Sequence, residues 1–172
     1  MASNYWMFVE TTENAQITRE KGYSIFGMSP KYKKRAQRMQ PNDRVLFYEK
    51  SEMIWTASAT ISSKYFEDTS EIWPTEGNPD EYKIRINLKP NYILDQSEFI
   101  QGLQVGASLE YVKKWAPEKW PLAFWDTLHL LPQRDFKYLE DEMRRIKTGI
   151  KADAIIDRNK KPRTKRVQNE WP

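Results

Sequence analysis

The segment KGYSIFGMSPKYKKRAQRM, residues 21–39, runs an aromatic–glycine turn straight into five cations with no acid among them. On a helix, Lys31, Lys34, Arg35 and Arg38 recur at spacings of three and four and share one face. Such a stripe matches a phosphate backbone, whose neutralisation releases counterions. The ordinary alternative is a solvated lysine-rich face. The absence of any acid in the run favours anion binding. Two large rings, Phe26 and Trp73, stand beside Gly, Pro and Ser in irregular segments, where no periodic pattern calls for their burial. Rings projecting from loops can clamp a flat base, each stacking contact being worth about 1–3 kcal/mol. A methylated base gains further apolar contact in such a clamp.

Catalytic signatures are few. The single histidine, His129, lies in the apolar stretch WDTLHLLP and reads as a packed, hydrogen-bonded residue rather than a catalyst. Neither a GxxxxGK[ST] loop nor a GxGxxG fingerprint occurs. The acid pairs Glu67-Asp68 and Asp141-Glu142 fall in a polar loop and on a helix's solvent face, so both read as surface charge. No His/Asp/Glu cluster has metal-ligand spacing, so neither a metal nor another cofactor is expected. There is no cysteine, which excludes disulfides and thiolate catalysis and suits a reducing cytoplasm, the expected compartment.

The elements that must position these residues read as follows. NYWMFV is a strand, and TENAQITREKG a short helix with Thr12 as its N-cap and Gly22 as its stop. YSIFG is a brief extended piece. Ser29 then caps and Pro30 opens the basic helix, which the turn QPND ends. RVLFYE and MIWTASATI form a hairpin, with Trp55, Ala57, Ala59 and Ile61 on one face of the second strand. YKIRINL alternates Tyr82, Ile84, Ile86 and Leu88 against Lys83, Arg85 and Asn87, whose outward cations would extend the basic patch. Between these strands runs the long polar segment KYFEDTSEIWPTEGNPDE, of a length that marks a functional or disordered loop. DQSEFIQGL, SLEYVKKW and LPQRDFKYLEDEMRRIK look helical, the last with an apolar stripe Phe136, Leu139, Met143 and Ile146. In KKWAPEKWPLAFW, Trp115, Trp120 and Trp125 are assigned to packing by default. The fold class is α+β, a small, mostly antiparallel sheet of about five or six strands curled into a partial β-barrel with flanking helices.

The chain of 172 residues suits one domain with a real core. Its net charge of +4 is uneven: from residue 147 onward eight Lys/Arg and three Asp/Glu give +5, leaving −1 on the body. This divides the chain into a domain over 1–146 and a basic, flexible tail over 147–172 that either solubilises or touches nucleic acid. No apolar run reaches membrane-spanning length and the first residues lack a signal-peptide pattern, so no membrane partner is expected. The aromatics of KKWAPEKWPLAFW could be core or a dimer face, so the oligomeric state stays open.

The stretches NYWMFVETTEN, KGYSIFGMSPKYKKRAQRMQPNDRVLFY, WTASATISS, YKIRINLKP and LPQRDFKYLE occur in the order found in the EVE domain family. The chain resembles that family and its relatives in the PUA-like superfamily, including YTH domains. The resemblance implies a PUA-like partial barrel that binds nucleic acid and turns a modified base into an aromatic pocket. It implies that Phe26 takes the place of a cage tryptophan and Trp73 that of the second cage ring, that the Asn14 amide helps hold the base edge, and that backbone groups of Gly27 and Met28 bond the base. Glu10 falls where some such readers carry a neutral polar residue, and Arg134-Asp135 echoes a pair that contacts the backbone. The implied partner is RNA or DNA, with a lean to RNA or exposed single strands, because a base in a duplex must first leave its stack. Two alternatives remain: a hydrolase of modified nucleosides using Glu10 with a lysine such as Lys21, and a protein-interaction module.

Overall fold

The computed structural model describes residues 3–149. One eight-stranded sheet runs β2-β6-β4-β3-β1-β8, with β5 added on β6 and β7 on β4. The strands are β1 (Tyr5–Glu10), β2 (Ile25–Met28), β3 (Arg44–Glu49), β4 (Ile54–Ile61), β5 (Phe66–Glu67), β6 (Ile84–Ile93), β7 (Ile100–Gln101) and β8 (Leu128–Leu130). All pairs are antiparallel except β1 with β3, which run parallel from Tyr5↔Arg44 to Glu10↔Glu49. The two strands beyond the expected six, β5 and β7, are two-residue additions. β1 and β2 are not neighbours in the sheet, yet Phe8 of β1 stacks on Phe26 of β2 with centroids 4.2 Å apart. That contact requires the sheet to curl, and the architecture is the expected α+β partial barrel.

Both faces of the central strands are buried. Trp6, Phe8, Val45, Phe47, Ala57, Ala59, Ile84 and Ile86 fill the inside of the curl. Met7, Val9, Leu46, Tyr48 and Trp55 face the other way, onto Trp120, Phe124 and the stripe Phe136, Leu139 and Met143 of a last helix. One expected alternation fails here. Trp55 does not share a face with Ala57, Ala59 and Ile61, because Phe47 pairs with Ala57 while Tyr48 pairs with Trp55. The unpaired Thr56 is a β-bulge, and one extra residue sends Trp55 to the opposite side. A second shift, between Ser58 and Ala59, lets β6 continue past Pro90, which donates no ladder hydrogen bond.

The helices are α1 (Thr12–Glu20), α2 (Lys33–Ala36), α3 (Gly102–Val105) and α4, seen over residues 133–149. Thr11, one residue before the expected cap, ends β1 in extended geometry and accepts the Asn14 amide at 3.3 Å. Gly22 and Tyr23, both at positive φ, close α1. The basic helix is shorter than its spacing suggested. A 3-10 turn over Pro30–Tyr32 leads into α2, and Arg38 lies beyond it in a turn. Of the three segments read as helices after Pro90, the last is α4, while the other two break into 3-10 turns and short pieces. Pro117–Phe124, not read as a helix, is a further 3-10 stretch, whose Pro121 cannot donate to an α-helical ladder. The region assigned to a flexible tail begins inside α4, where Lys147 Nζ donates to Glu98 at 2.6 Å and to Asp95 at 3.4 Å. The tail from 150 onward lies outside the described residues.

Asp43 joins the start of the fold. Its carboxylate accepts from the Asn4 amide (3.0 Å), the Trp6 indole (3.1 Å) and the Gln40 amide (3.1 Å) while buried. Asp43→Ala strands these donors, and urea unfolding should show a loss of about 2–4 kcal/mol.

Candidate nucleic-acid interface

The pocket that gathers the sequence-derived residues has a volume of about 320 Å³. It opens where β1 ends and α1 begins. Glu10, Asn14, Phe26, Gly27, Met28 and Trp73 all line it, and so does Lys31. Sequence reasoning missed Lys50, Tyr82 and Thr127, which also line it, and the largely exposed Trp125 at its edge. A wider cavity of about 710 Å³ lies on the other side of α1, and none of the sequence-derived residues line it. Its Arg19 is engaged with the Leu94 carbonyl and the Phe99 ring.

Neither expected clamp ring projects from a loop. Phe26 is on β2, with Phe8 stacked on it and Phe47 edge-on at 6.0 Å, so it serves as the pocket's back wall and as core together. Trp73 is only 2% exposed. Its indole N–H donates to Thr18 Oγ1 at 3.0 Å, Tyr82 lies at 5.6 Å, and the Arg85 guanidinium stands 5.7 Å from its ring centroid. The long loop is therefore folded back as a wall. Arg85 holds it there, donating to the Tyr82 carbonyl (3.0 Å) and to Ser70 Oγ (2.9 Å) and its carbonyl, with Asp68 at 3.4 Å. The expectation that Arg85 extends a surface patch is corrected: the strand bears it outward, but the loop covers it. Gly27 permits this closure, since a Cβ there would sit 2.5 Å from Trp73 Cζ3.

The polar floor is equally ordered. Asn14, held through its amide by the Thr11 cap, donates its side-chain N–H to the Tyr82 hydroxyl at 2.8 Å. The Thr18 hydroxyl, having accepted the Trp73 indole, donates to Glu10. Glu10 is 5% exposed, and burial pushes its carboxyl up to about 8, against the Thr18 hydrogen bond and aided by Glu49 beside it on β3. At neutral pH it is mainly protonated and can donate as well as accept.

The cations divide. Lys31 is at the pocket, with its ammonium 5.0 Å from the Tyr32 ring centroid, and Lys34 is exposed nearby on α2. Arg35 turns instead to Asp126 (3.5 Å) and the Leu128 carbonyl (3.1 Å). Arg38 lines a separate cleft with Trp6 and Tyr111. Arg134 stands exposed on α4 away from the pocket, while its neighbour Asp135 is buried and accepts the Glu110 and Tyr111 amides. Lys21 is exposed after the far end of α1, so the Glu10–Lys21 pair of the hydrolase alternative is not assembled. His129 is packed as read, bonded through Nδ1 to the Tyr111 hydroxyl (2.8 Å) and through Nε2 to the Asp126 carbonyl (2.9 Å). Among the described residues no acid or histidine cluster could hold a metal, and no helix is long and apolar enough to cross a membrane.

Against known proteins, the EVE domain family matches residues 4–124. The chain belongs to that family. No relative among curated proteins matches it. In solved structures, this EVE domain is similar to the YTH domain-containing protein mmi1 in its RNA complex, at 11% identity over 87% of each chain and a TM-score of 0.60. It is similar to the YTH domain of Zygosaccharomyces rouxii MRB1 in complex with N6-methyladenosine RNA, at 14% identity over 81% of this chain and 85% of that one, TM-score 0.59. A hypothetical protein from Leishmania major aligns at 15% identity over 84% of this chain and 96% of its own, TM-score 0.56. At these identities the likeness is one of fold.

Glu10 makes the EVE domain's stability pH-dependent. Its carboxyl ionises near 4.5 in the unfolded chain but only near 8 in the folded one, so the folded state binds the extra proton between those values. Stability should fall as pH rises through that window, by an amount on the order of a few kcal/mol. Glu10→Gln should remove this slope in urea melts from pH 5 to 9, and an unchanged slope would assign it to another group.

Proposed function

We propose that this EVE domain is a noncatalytic nucleic-acid-binding module that takes one modified base of a single strand, by preference RNA, into the pocket beside Trp73. The observation that carries the reading is the pairing of surfaces in that pocket. Flat rings of Trp73, Tyr82 and Phe26 form walls, the buried Glu10 and the half-buried Asn14 form the floor, and Lys31 and Lys50 stand among the lining residues. A volume of about 320 Å³ is at the small end of the range for ligand sites, about 300–1,000 Å³. It suits one base rather than a larger ligand.

Each part has a separate task. Rings supply sequence-tolerant stacking, and a methyl group on the base adds apolar contact. Glu10 and Asn14 meet the base edge with donors and acceptors, so a base lacking the matching edge leaves them unpaired at a cost of about 1–3 kcal/mol. The cations hold adjoining phosphates, which position the strand without reading it. A single strand avoids the few kcal/mol of unstacking that a duplex would demand. The fold-related MRB1 YTH domain, seen with N6-methyladenosine RNA, supports RNA as the first ligand class to test.

Intrinsic tryptophan fluorescence should report binding of short RNA and DNA strands carrying no mark, N6-methyladenine or 5-methylcytosine. One marked strand should bind at least tenfold more tightly than its unmarked match, with affinity falling as salt rises. Asn14→Ala should erase most of that preference. The double change Lys31→Glu, Lys34→Glu should weaken marked and unmarked strands alike. Equal affinity for every strand would remove the base pocket from the reading, and no binding at low salt would remove nucleic acid altogether.

A further inference from the structure

Trp125 departs from the packing role of most of its kind. Trp6, Trp55, Trp73 and Trp120 are buried, but Trp125 is 69% exposed while still lining the base pocket. It is held in place by its neighbours in sequence. Asp126 accepts the Thr127 amide at 2.8 Å and the Tyr32 hydroxyl, and pairs with Arg35 at 3.5 Å. The Val9 amide donates to the Thr127 carbonyl at 2.9 Å, which ties the same segment to β1. Trp125 therefore projects from a backbone anchored on both the sheet and the basic turn.

Lys50 takes one side of the ring. Its ammonium lies 4.9 Å from the Trp125 centroid, a distance at which a cation is attracted to the ring's electron-rich face. The Lys50 amide donates to the Glu10 carbonyl at 3.1 Å, which fixes this lysine at the end of β1 beside the pocket floor. With the cation over one face, a base would stack on the other. An anchored, solvent-facing indole with a cation behind it, at the mouth of a base-sized pocket, matches a stacked base and its phosphate.

Resting on the function proposed above, we propose that Trp125 is the stacking platform for the nucleotide adjoining the pocketed base, and that Lys50 meets the phosphate linking the two. The domain then holds two consecutive nucleotides of a single strand: one inserted, one laid against Trp125. A protein partner covering the ring is the competing occupant. The nucleotide is favoured because the cations Lys31 and Lys50 line the same mouth.

The test compares four probes on the full chain by calorimetry: N6-methyladenosine nucleoside, a five-nucleotide RNA with N6-methyladenine at its centre, the same RNA without the mark, and the marked RNA with abasic residues flanking the mark. Trp125→Ala should weaken the intact RNA by about tenfold, the scale of one base–aromatic stack. It should leave the nucleoside and the abasic-flanked RNA within twofold of the unaltered protein. Trp125→Phe should restore most of the loss, and Lys50→Gln should lower the salt dependence for the RNA but not for the nucleoside. Equal weakening of nucleoside and RNA would make Trp125 a wall of the pocket and overturn the platform. Unchanged RNA affinity would overturn it as well and leave the ring to a protein partner. If the unaltered protein binds the RNAs without regard to the mark, the pocket reading fails while a Trp125 effect on flanking bases still upholds the platform. Failure to bind any of the probes overturns both.

Discussion

A parallel strand pair cannot be closed by a hairpin, and β1 with β3 is such a pair. The chain must travel from the end of one to the start of the other and return in the same direction. Residues 11–43 make that journey, and they contain α1, β2 and the basic turn. The pocket forms where this excursion leaves β1, at Glu10 and Thr11, and where it crosses back through Phe26, Gly27 and Met28. Most of the site is thus a product of one crossover. Asp43 closes it by binding Asn4 and Trp6 at the start of β1 and Gln40 just before β3.

The remaining wall is brought in from elsewhere by a buried cation. Arg85 uses its guanidinium to fasten the loop at Ser70 and Tyr82 while standing over the Trp73 ring. Opposite it, Thr18 receives the indole and passes a hydrogen bond to Glu10. A loop wall, a helix hydroxyl and a strand carboxyl are therefore linked in sequence. Arg85, Trp73, Thr18 and Glu10 are each hydrogen-bonded in this series, which is what makes their burial tolerable. The carboxyl at its end stays largely protonated near neutrality because burial disfavours its charged form, and Glu49 beside it adds to the shift. A polar floor without a fixed negative charge is compatible with a ligand that itself carries phosphates.

The partial barrel was largely legible in the residues. Aromatic and β-branched runs in NYWMFV and RVLFYE and alternation in YKIRINL placed the main strands, and Ser29-Pro30 and Gly22 marked real turns. The Thr56 bulge was not legible, since local alternation carries no sign of an extra unpaired residue until two strands are set in register. The two short helices read after Pro90 were overread because apolar spacing suits a 3-10 turn as well as an α-helix over so few residues, whereas the long apolar stripe of α4 was read correctly. In the site, Phe26, Gly27, Met28, Trp73, Asn14 and Glu10 do converge. Lys50, Tyr82 and Trp125 escaped notice because they belong to three separate connections, whose meeting depends on the curl of the sheet.

The sequence by itself determined the kinds of group available: many rings, a basic run free of acids, a lone histidine and no cysteine. Those kinds bound the chemistry, since side-chain type sets what can stack, pair or ionise wherever it is placed. Only the tertiary structure decided which ring faces solvent and which cation is already engaged. Trp73 and Trp125 both lie near prolines and outside any helix or strand, yet one is covered by Arg85 and the other projects at the pocket mouth. Lys31 and Arg35 share one turn of chain, yet Arg35 is spent on Asp126 while Lys31 lines the pocket. The physical reason is common to both contrasts: exposure and pairing depend on partners far away in sequence, and only folding brings those partners within reach.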